Sequence, residues 1–146
     1  MLLYLDLNCF NRPFDDQSQV RVANETQAVF SILERIENGT DQLTWSAVLS
    51  FKNSQHPLAD RRDEIARWKR LASSNLNVTV AVVERAQELV DAGFQALDSA
   101  HLACAEAAGC DRFVTCDDRL LRKAGRVQLA VDVLNPIHYV EVFSNE

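Results

Sequence analysis

Short apolar runs alternate along this chain with longer segments whose apolar residues recur at helical spacing. A short run that is apolar at every position is typical of a strand buried on both faces of a parallel sheet. The segments between the runs are long enough to cross from one parallel strand to the next as helices. This alternation predicts an α/β layer architecture with a mostly parallel central sheet.

The pattern divides the chain into strands and helices. The predicted strands are residues 2–6, 43–45, 77–83, 112–115 and 127–134. Four predicted helices have clear bounds: residues 20–37, 60–73, 96–108 and 120–124. A further helix begins at the cap Ser46 and ends before His56, and another continues the third strand to about residue 92. The pair Asn135-Pro136 begins a last helical turn. No repeat or interdomain linker interrupts this order, so residues 1–146 are expected to form a single domain.

Composition narrows the classes of function. The net charge is −6 and the sequence pI is about 5.0, which argues against a protein that holds nucleic acid through a broad basic surface. No apolar run reaches membrane-spanning length, and the first ten residues lack a basic segment, so we expect no membrane association and a cytoplasmic location. The four cysteines show no zinc-binding spacing and are expected to be small buried thiols.

Two acidic residues lie at the predicted carboxyl ends of strands. Asp6 ends the first strand, and Asp117 follows residues 112–115 within the stretch FVTCDDRLL. Ligands of open α/β sheets bind beside the carboxyl ends of the strands, so these two carboxylates are candidates to be neighbours. Simpler interpretations remain: Asp6 could cap the turn at Asn8, and one aspartate of the pair Asp117-Asp118 could cap the helix that follows.

A third acid, Asp98, begins the helical stretch LDSAHLACAEAAG. It is either an acid that suits the N-terminus of that helix or a member of a carboxylate cluster with Asp6 and Asp117. Such a cluster suits Mg²⁺ or Mn²⁺, because these ions prefer oxygen ligands and keep several waters. Metal-assisted cleavage of a phosphodiester is the corresponding chemistry. Asp118 is interpreted differently, as a solvated acid of the first helical turn.

Three segments resemble the PIN domain family: YLDLNCFNRPFDD, ALDSAHLACAEAAGCDRFVTCDDRLLRKA and LNPIHYVE. The resemblance covers essentially the whole chain, and D-x-x-H-x-A followed by F-x-T-x-D is its most specific part. It implies a three-layer α/β/α sandwich around a mostly parallel sheet. It also implies a ribonuclease that depends on Mg²⁺ or Mn²⁺ and acts on an RNA substrate, like the toxins of bacterial toxin–antitoxin pairs. An antitoxin-like protein partner and a homodimer are the other partners that the family suggests.

Carried over by position, the resemblance implies three catalytic, metal-facing acids: Asp6, Asp98 and Asp117. It makes Asn8 a polar neighbour of Asp6 and places the hydroxyl of Thr115 next to the site. His101 lies three residues after Asp98 on the same helix face. For His101 a hydrogen-bonding role beside the site is favoured over metal ligation, because the expected ligands are oxygens.

One position departs from the family pattern. A glutamate usually lies on the helix after the second strand, a few residues past a serine, and Lys52 occupies that position in TWSAVLSFKNSQHP. Its ammonium is expected to pair with Asp6 or Asp98 and to weaken metal binding, since it replaces a negative charge with a positive one. The sequence therefore supports two hypotheses: a weakened metal-dependent ribonuclease, or a non-catalytic PIN-like module that binds RNA or a protein partner.

Overall fold

Five short strands form the centre of the computed structural model, which describes residues 1–145. They are β1 (Leu2–Leu5), β2 (Gln42–Ser46), β3 (Ser74–Leu76), β4 (Arg112–Val114) and β5 (Asp132–Leu134). All neighbouring strands are parallel, in the order β3-β2-β1-β4-β5. The chain builds outward on one side of β1 and then on the other. The strand order therefore reverses between β1 and β4. The crevice at the carboxyl ends of these two strands is the switch point, where ligands of such sheets bind.

Helices flank this sheet. Within the described residues they are α1 (Leu7–Asn11), α2 (Val20–Glu37), α3 (Ala47–Ser54), α4 (Ala59–Ala66), α5 (Val80–Asp91), α6 (Ala96–Ala107), α7 (Asp118–Ala124) and α8 (Pro136–Ser144). The arrangement confirms the predicted α/β class with a parallel sheet. The helix expected at 60–73 is split, because a 3₁₀ turn at Arg67–Leu71 follows α4 and places the Trp68 ring 6.5 Å from the Phe10 ring.

Polar side chains begin α3 and α8, the helices that follow β2 and β5. Ser46 Oγ accepts a hydrogen bond from the Leu49 amide at 3.1 Å and caps α3. Asn135 Oδ1 accepts from the Ile137 amide at 2.8 Å, and Pro136 follows it in the first turn of α8. Both helix starts agree with the predictions from Ser46 and from the Asn135-Pro136 pair.

The third strand lies earlier in the chain than predicted. The prediction of a strand at 77–83 is wrong, because β3 ends at Leu76 and α5 begins at Val80. The valine-rich run favours a strand locally. However, Thr79 Oγ1 accepts a hydrogen bond from the Val82 amide at 3.3 Å and starts a helix. Val82 and Leu89 then bury one stripe of α5, so the packing of an amphipathic helix outweighs the local β-propensity.

The last strand is shorter than predicted. Residues 127–131 form a loop ahead of β5, although the sequence predicted a strand from residue 127. The Ala130 amide donates to Glu106 Oε2 at 2.7 Å, and the Gln128 carbonyl accepts from Arg85 at 3.3 Å. Side chains of α5 and α6 therefore satisfy backbone groups that would otherwise pair with another strand.

The core lies between the sheet and its helices. Tyr4 of β1 stacks on Phe113 of β4 with 5.1 Å between ring centroids. All four cysteines are buried and unpaired, in agreement with the expectation of buried thiols. Across residues 1–145, no helix combines the length and the apolar character needed to cross a membrane.

Candidate functional site

Asp6 lies immediately after β1 at the switch point. Its amide donates to the Val114 carbonyl of β4 at 2.9 Å, so its backbone continues the pairing of the two strands. Its side chain is buried, with only 2% of the residue exposed to solvent. A carboxylate buried to this extent needs partners, because burial without compensation disfavours the charged form.

The two oxygens of Asp6 differ in their environment. Oδ2 accepts from the Thr115 hydroxyl at 2.9 Å and from the Asn8 amide at 3.2 Å. Oδ1 is buried and has no hydrogen-bond partner among residues 1–145. One oxygen therefore fixes the side chain while the other is left unsatisfied inside the protein, which is the arrangement expected of a group that binds a ligand.

Thr115 connects Asp6 to Asp117. The Thr115 hydroxyl donates to Asp6 and accepts from the Asp117 amide at 3.1 Å. Asp117 Oδ1 accepts from the amides of Arg119 and Leu120 at 2.9 and 3.3 Å and caps α7. The helix cap therefore orients Asp117 beside the end of β4, so capping and a ligand role are not alternatives at this residue.

Asp118 has a separate partner. Its carboxylate forms two hydrogen bonds with the Arg21 guanidinium of α2, at 2.6 and 2.7 Å. Half of the Asp118 side chain is exposed, and the Arg21 charge lowers the pKa of its carboxyl. Asp118 is thus an exposed acid of the first turn of α7, as the sequence predicted, but one that is paired and not merely solvated.

Asp98 approaches the other two acids from α6. It is half-buried in the first turn of that helix. Burial raises the pKa of the Asp98 carboxyl, and the negative charges of Asp6 and Asp117 raise it further. The ammonium groups of Lys52 and Lys123 act in the opposite direction. The three predicted acids and two lysines therefore share one electrostatic environment, which we call the carboxylate pocket.

The carboxylate pocket is not closed into a ready-made metal cage. Across the part of the chain that the structure describes, no group of three or more histidine, cysteine, aspartate or glutamate side chains is gathered tightly enough to hold a metal ion. The acids of the pocket nevertheless suit a hard divalent cation, because such ions prefer oxygen ligands and the acids offer carboxylate oxygens. One of these oxygens, Asp6 Oδ1, is buried without a hydrogen-bond partner in the described chain.

His101 belongs to a hydrogen-bonded junction beneath the pocket. Its Nδ1 lies 2.6 Å from the Tyr4 hydroxyl, which also lies 2.7 Å from Ser46 Oγ. The junction ties α6 to β1 and to the start of α3, which positions Asp98 relative to Asp6. Burial lowers the pKa of His101 to about 4, so the imidazole is neutral at pH 7. Sequence reasoning anticipated a hydrogen bond for His101 but missed Tyr4 and Ser46, which carry no local signal for this role.

Lys52 contributes positive charge to the pocket. It lies in the last turn of α3, is half-buried, and acts electrostatically on both Asp98 and His101. The expected ion pair with Asp6 or Asp98 is wrong, since Lys52 forms no ion pair within residues 1–145. Lys123 was missed at the sequence level, although it lies six residues after Asp117 on the same short helix.

A second feature lies away from the pocket. An apolar groove of about 800 Å³ runs between α1, α2 and α4. Its walls are mainly aromatic and aliphatic, and its rim carries charged side chains from α4. The lining includes Phe10, Phe14, Phe30, Leu58, Arg61 and Trp68. Phe14, Phe30 and Leu58 are each between 45% and 59% exposed, so the groove is open to a partner.

The protein is an open α/β protein with a parallel sheet, and its carboxylate pocket lies at the switch point of that sheet. Proteins of this class bind their ligands at the switch point. The sequence matches the PIN domain family over residues 3–126, and the chain therefore belongs to that family. A similar solved structure is the crystal structure of VapBC2 from Rickettsia felis bound to a DNA fragment from their promoter. It shares 13% identity, covers 92% of this chain and 98% of its own, has a TM-score of 0.61, and supports the fold. No curated protein matches this sequence.

Proposed function

We propose that this protein is a PIN-type ribonuclease that depends on Mg²⁺ or Mn²⁺. Its activity is low, because the positive charge of Lys52 weakens metal binding. PIN domains are generally nucleases, as the resemblance implied. The proposed metal-facing acids are Asp6, Asp98 and Asp117, and the proposed substrate is cytoplasmic RNA. The observation that carries the proposal is the buried oxygen Oδ1 of Asp6, which has no partner among the described residues and lies in the same pocket as two other carboxylates.

The charges of the pocket support a cation there. Burial raises the pKa of the Asp98 carboxyl, and the negative charges of Asp6 and Asp117 raise it further, so the metal-free pocket is electrostatically unfavourable. A bound divalent ion would offset that repulsion, polarise a water and neutralise charge on a phosphodiester. Thr115 and Asn8 hold the Asp6 carboxylate in place, and the α7 cap holds Asp117. These residues reduce the reorganisation that binding requires.

Asparagine substitutions test the three acids. Asp6→Asn, Asp98→Asn and Asp117→Asn should each abolish the rise in melting temperature that Mn²⁺ produces, in wild type and in a Lys52→Glu background. The reason is that asparagine keeps the volume but removes a charged oxygen ligand. Asp117→Asn retains an efficient helix cap, so its effect should not come from loss of α7. The measurement is a thermal melt at increasing Mn²⁺.

Asp118→Asn is the matched control, because it alters the neighbouring acid and breaks only a surface pair with Arg21. It should lower stability by no more than about 1 kcal/mol and leave the Mn²⁺ response intact. An equal loss of the Mn²⁺ response at Asp118 would contradict the choice of Asp117 as the metal-facing member of the pair.

The second candidate function is a non-catalytic PIN module that binds a protein partner. Two observations favour it: Lys52 places a positive charge in the carboxylate pocket, and the apolar groove between α1, α2 and α4 is exposed. In a toxin–antitoxin pair the partner would be an antitoxin-like segment with apolar side chains directed into the groove. Arg61, which lies 5.0 Å from the Phe14 ring and bonds to Asp15 and Asn11, would present a cation at the rim.

Serine substitutions in the groove test the partner. Phe14→Ser/Phe30→Ser should abolish co-purification with the co-expressed product of an adjoining gene, because the pair removes most of the exposed aromatic surface of the groove. Phe51→Ser is the matched control, since Phe51 is 60% exposed on α3 and lies outside the groove. Equal losses from both variants would argue against the groove as the partner site.

A further inference from the structure

We propose that one face of α7 and the turn after it bind the backbone of single-stranded RNA and lead it into the carboxylate pocket. This inference rests on the proposed ribonuclease function and names the surface by which the substrate is held. It concerns four cations on α7 and the turn after it: Arg119, Arg122, Arg126 and Lys123, the last of which also contributes its charge to the carboxylate pocket.

The four cations lie on one helical face. Arg119 lies three residues before Arg122 and four before Lys123, and Arg126 lies four after Arg122 and three after Lys123, spacings that place them side by side on an α-helix. The helical turn continues past the end of α7, because the Arg126 amide donates to the Lys123 carbonyl at 3.0 Å. Leu120 is buried and attaches the helix to the core. The fold therefore leaves these cations on the outer surface, with Arg119, Arg122 and Arg126 exposed and Lys123 half-buried.

The face is positively charged in an otherwise acidic protein. Residues 119–126 contain four cations and no acid, whereas the whole chain has a net charge of −6. None of the four forms an ion pair with any residue from 1 to 145. The nearest acid in sequence, Asp118, is already bound by both terminal nitrogens of Arg21. Much of the positive charge is therefore free to attract a polyanion.

Most of the other arginines are paired with acids. Arg12, Arg61, Arg67, Arg85 and Arg112 each form an ion pair with an aspartate or glutamate of the described chain. The α7 surface therefore differs from the other arginine-containing surfaces, because it carries four cations without ion pairs on two helical turns. An acidic surface with one local basic patch is how a protein of low pI can still hold nucleic acid at one place.

The basic face adjoins the carboxylate pocket. Asp117 caps the N-terminus of α7, and Lys123 acts on Asp98 from the last turn of the same helix. Lys52, which lies on α3, also acts on Asp98. From residue 119 to residue 126 the face extends about 10 Å, which is long enough for about two or three backbone phosphates. An RNA strand along this face would therefore present its next phosphate between the two lysines and beside the three acids.

This geometry favours RNA over an acidic protein partner. Arginines spaced along a helix suit a strand with regularly repeated phosphates, since each guanidinium can form a bidentate contact with one phosphate. The face also lacks the exposed large apolar side chains that protein partners use as anchors, because Leu120 is buried and Leu121 is partly buried.

The test is RNA binding by an Arg122→Gln/Arg126→Gln variant. A fluorescein-labelled single-stranded RNA of mixed sequence, about 20 nucleotides long, is titrated with protein in EDTA at several KCl concentrations, and Kd is measured by anisotropy. We expect the variant to bind about tenfold more weakly than wild type. The slope of log K against log[KCl] should also be shallower by about 1.4, because two phosphate contacts on a single strand are lost.

Lys69→Gln/Arg70→Gln is the matched control. It removes the same two charges from exposed residues that form no ion pair within residues 1–145, and it lies before β3 at the opposite edge of the sheet. Its affinity and salt slope should equal those of wild type. Equal weakening by both variants would overturn the inference, since the effect would then come from net charge alone. Two other results would also overturn the inference: RNA affinity of Arg122→Gln/Arg126→Gln equal to that of wild type, and no RNA binding by wild type.

The inference and the proposed function fail in different ways. If Arg122→Gln/Arg126→Gln loses binding but no form of the protein cleaves RNA in Mn²⁺, even with Lys52→Glu, the α7 surface stands and the ribonuclease proposal fails. If wild type cleaves RNA and the α7 variant binds and cleaves it equally well, the ribonuclease proposal stands and the α7 surface fails. Arg122→Gln/Arg126→Gln and its control Lys69→Gln/Arg70→Gln both replace exposed cations, so their melting temperatures should match that of wild type.

Discussion

Replacing Lys52 by glutamate should raise the rate of RNA cleavage in Mn²⁺ by about 100-fold or more and tighten Mn²⁺ binding by a similar factor. Lys52 lies where its charge acts on Asp98, within the carboxylate pocket. The substitution adds one negative charge and removes one positive charge, a change of two units beside three aspartates. The metal-free pocket should in turn become less stable, because four carboxylates then repel one another.

The size of the effect follows from the distance and the screening. Two unit charges about 4 Å apart near a protein surface interact by about 4 kcal/mol. Lys52 is half-buried and forms no ion pair among residues 1–145, so its distance from the acids is larger and solvent screens it more. A change of about 2.7 kcal/mol remains a conservative expectation for two units, and it corresponds to the factor of 100.

The measurement is cleavage of a mixed RNA pool with Mn²⁺, together with Mn²⁺-dependent melting. Lys52→Glu/Asp117→Asn is the control, and it should lose the gained activity because it removes one of the proposed ligands. Lys52→Gln should give an intermediate result, since it removes the positive charge without adding a negative one. A wild type that already cleaves rapidly, with no change in Lys52→Glu, would show that Lys52 does not oppose metal binding.

Replacing Glu25 by alanine should lower the free energy of unfolding by about 3–5 kcal/mol, the largest loss of stability that we expect from one substitution. Glu25 lies on α2 and its side chain is inaccessible to solvent. Oε1 lies 2.7 Å from Arg12 and 3.5 Å from Arg21, and Oε2 accepts a short hydrogen bond from Asn135. The substitution would leave the buried end of Arg12 and the Asn135 amide without this acceptor.

The consequence should extend to the two elements that Glu25 connects. Arg12 lies in the turn after α1, and Asn135 caps α8, so the carboxylate joins three parts of the chain. Chemical unfolding in urea measures the effect, and a thermal melt should show a decrease of roughly 6–20 °C for a domain of this size. Glu34→Ala on the exposed side of α2 is the control and should change stability by no more than about 0.5 kcal/mol. A loss below about 1 kcal/mol at Glu25 would contradict this account.

Elements with a strong pattern along the sequence were predicted closely. The helix at Val20–Glu37 has the predicted bounds, because its apolar stripe is long and Asn38-Gly39 ends it. The strand ends beside Asp6 and Thr115 were also predicted closely, because a short run that is apolar throughout has few other stable environments. The parallel sheet followed from the alternation of these elements, and its order places the two strand ends together.

Elements whose local preference conflicts with their tertiary contacts were predicted wrongly. The valine-rich run at 77–83 satisfies the composition of a strand, but Thr79 caps a helix there and Val82 packs into the core. Residues 127–131 have apolar positions that resemble a strand, but their backbone bonds to Glu106 and Arg85. In both cases the deciding partner is distant in sequence, so no local pattern could reveal it.

The same division holds for the site. Strand ends and the family pattern identified Asp6, Asp98, Asp117 and Lys52 as candidates before any contact was known. The distinction between Asp117 and Asp118 depended on Arg21, which lies almost a hundred residues earlier and binds only one of the two. Lys123, the Tyr4–His101 junction and the apolar groove likewise depend on side chains brought together from separate elements. Their positions follow from packing of the whole domain, because a contact between distant residues depends on every element that orients them.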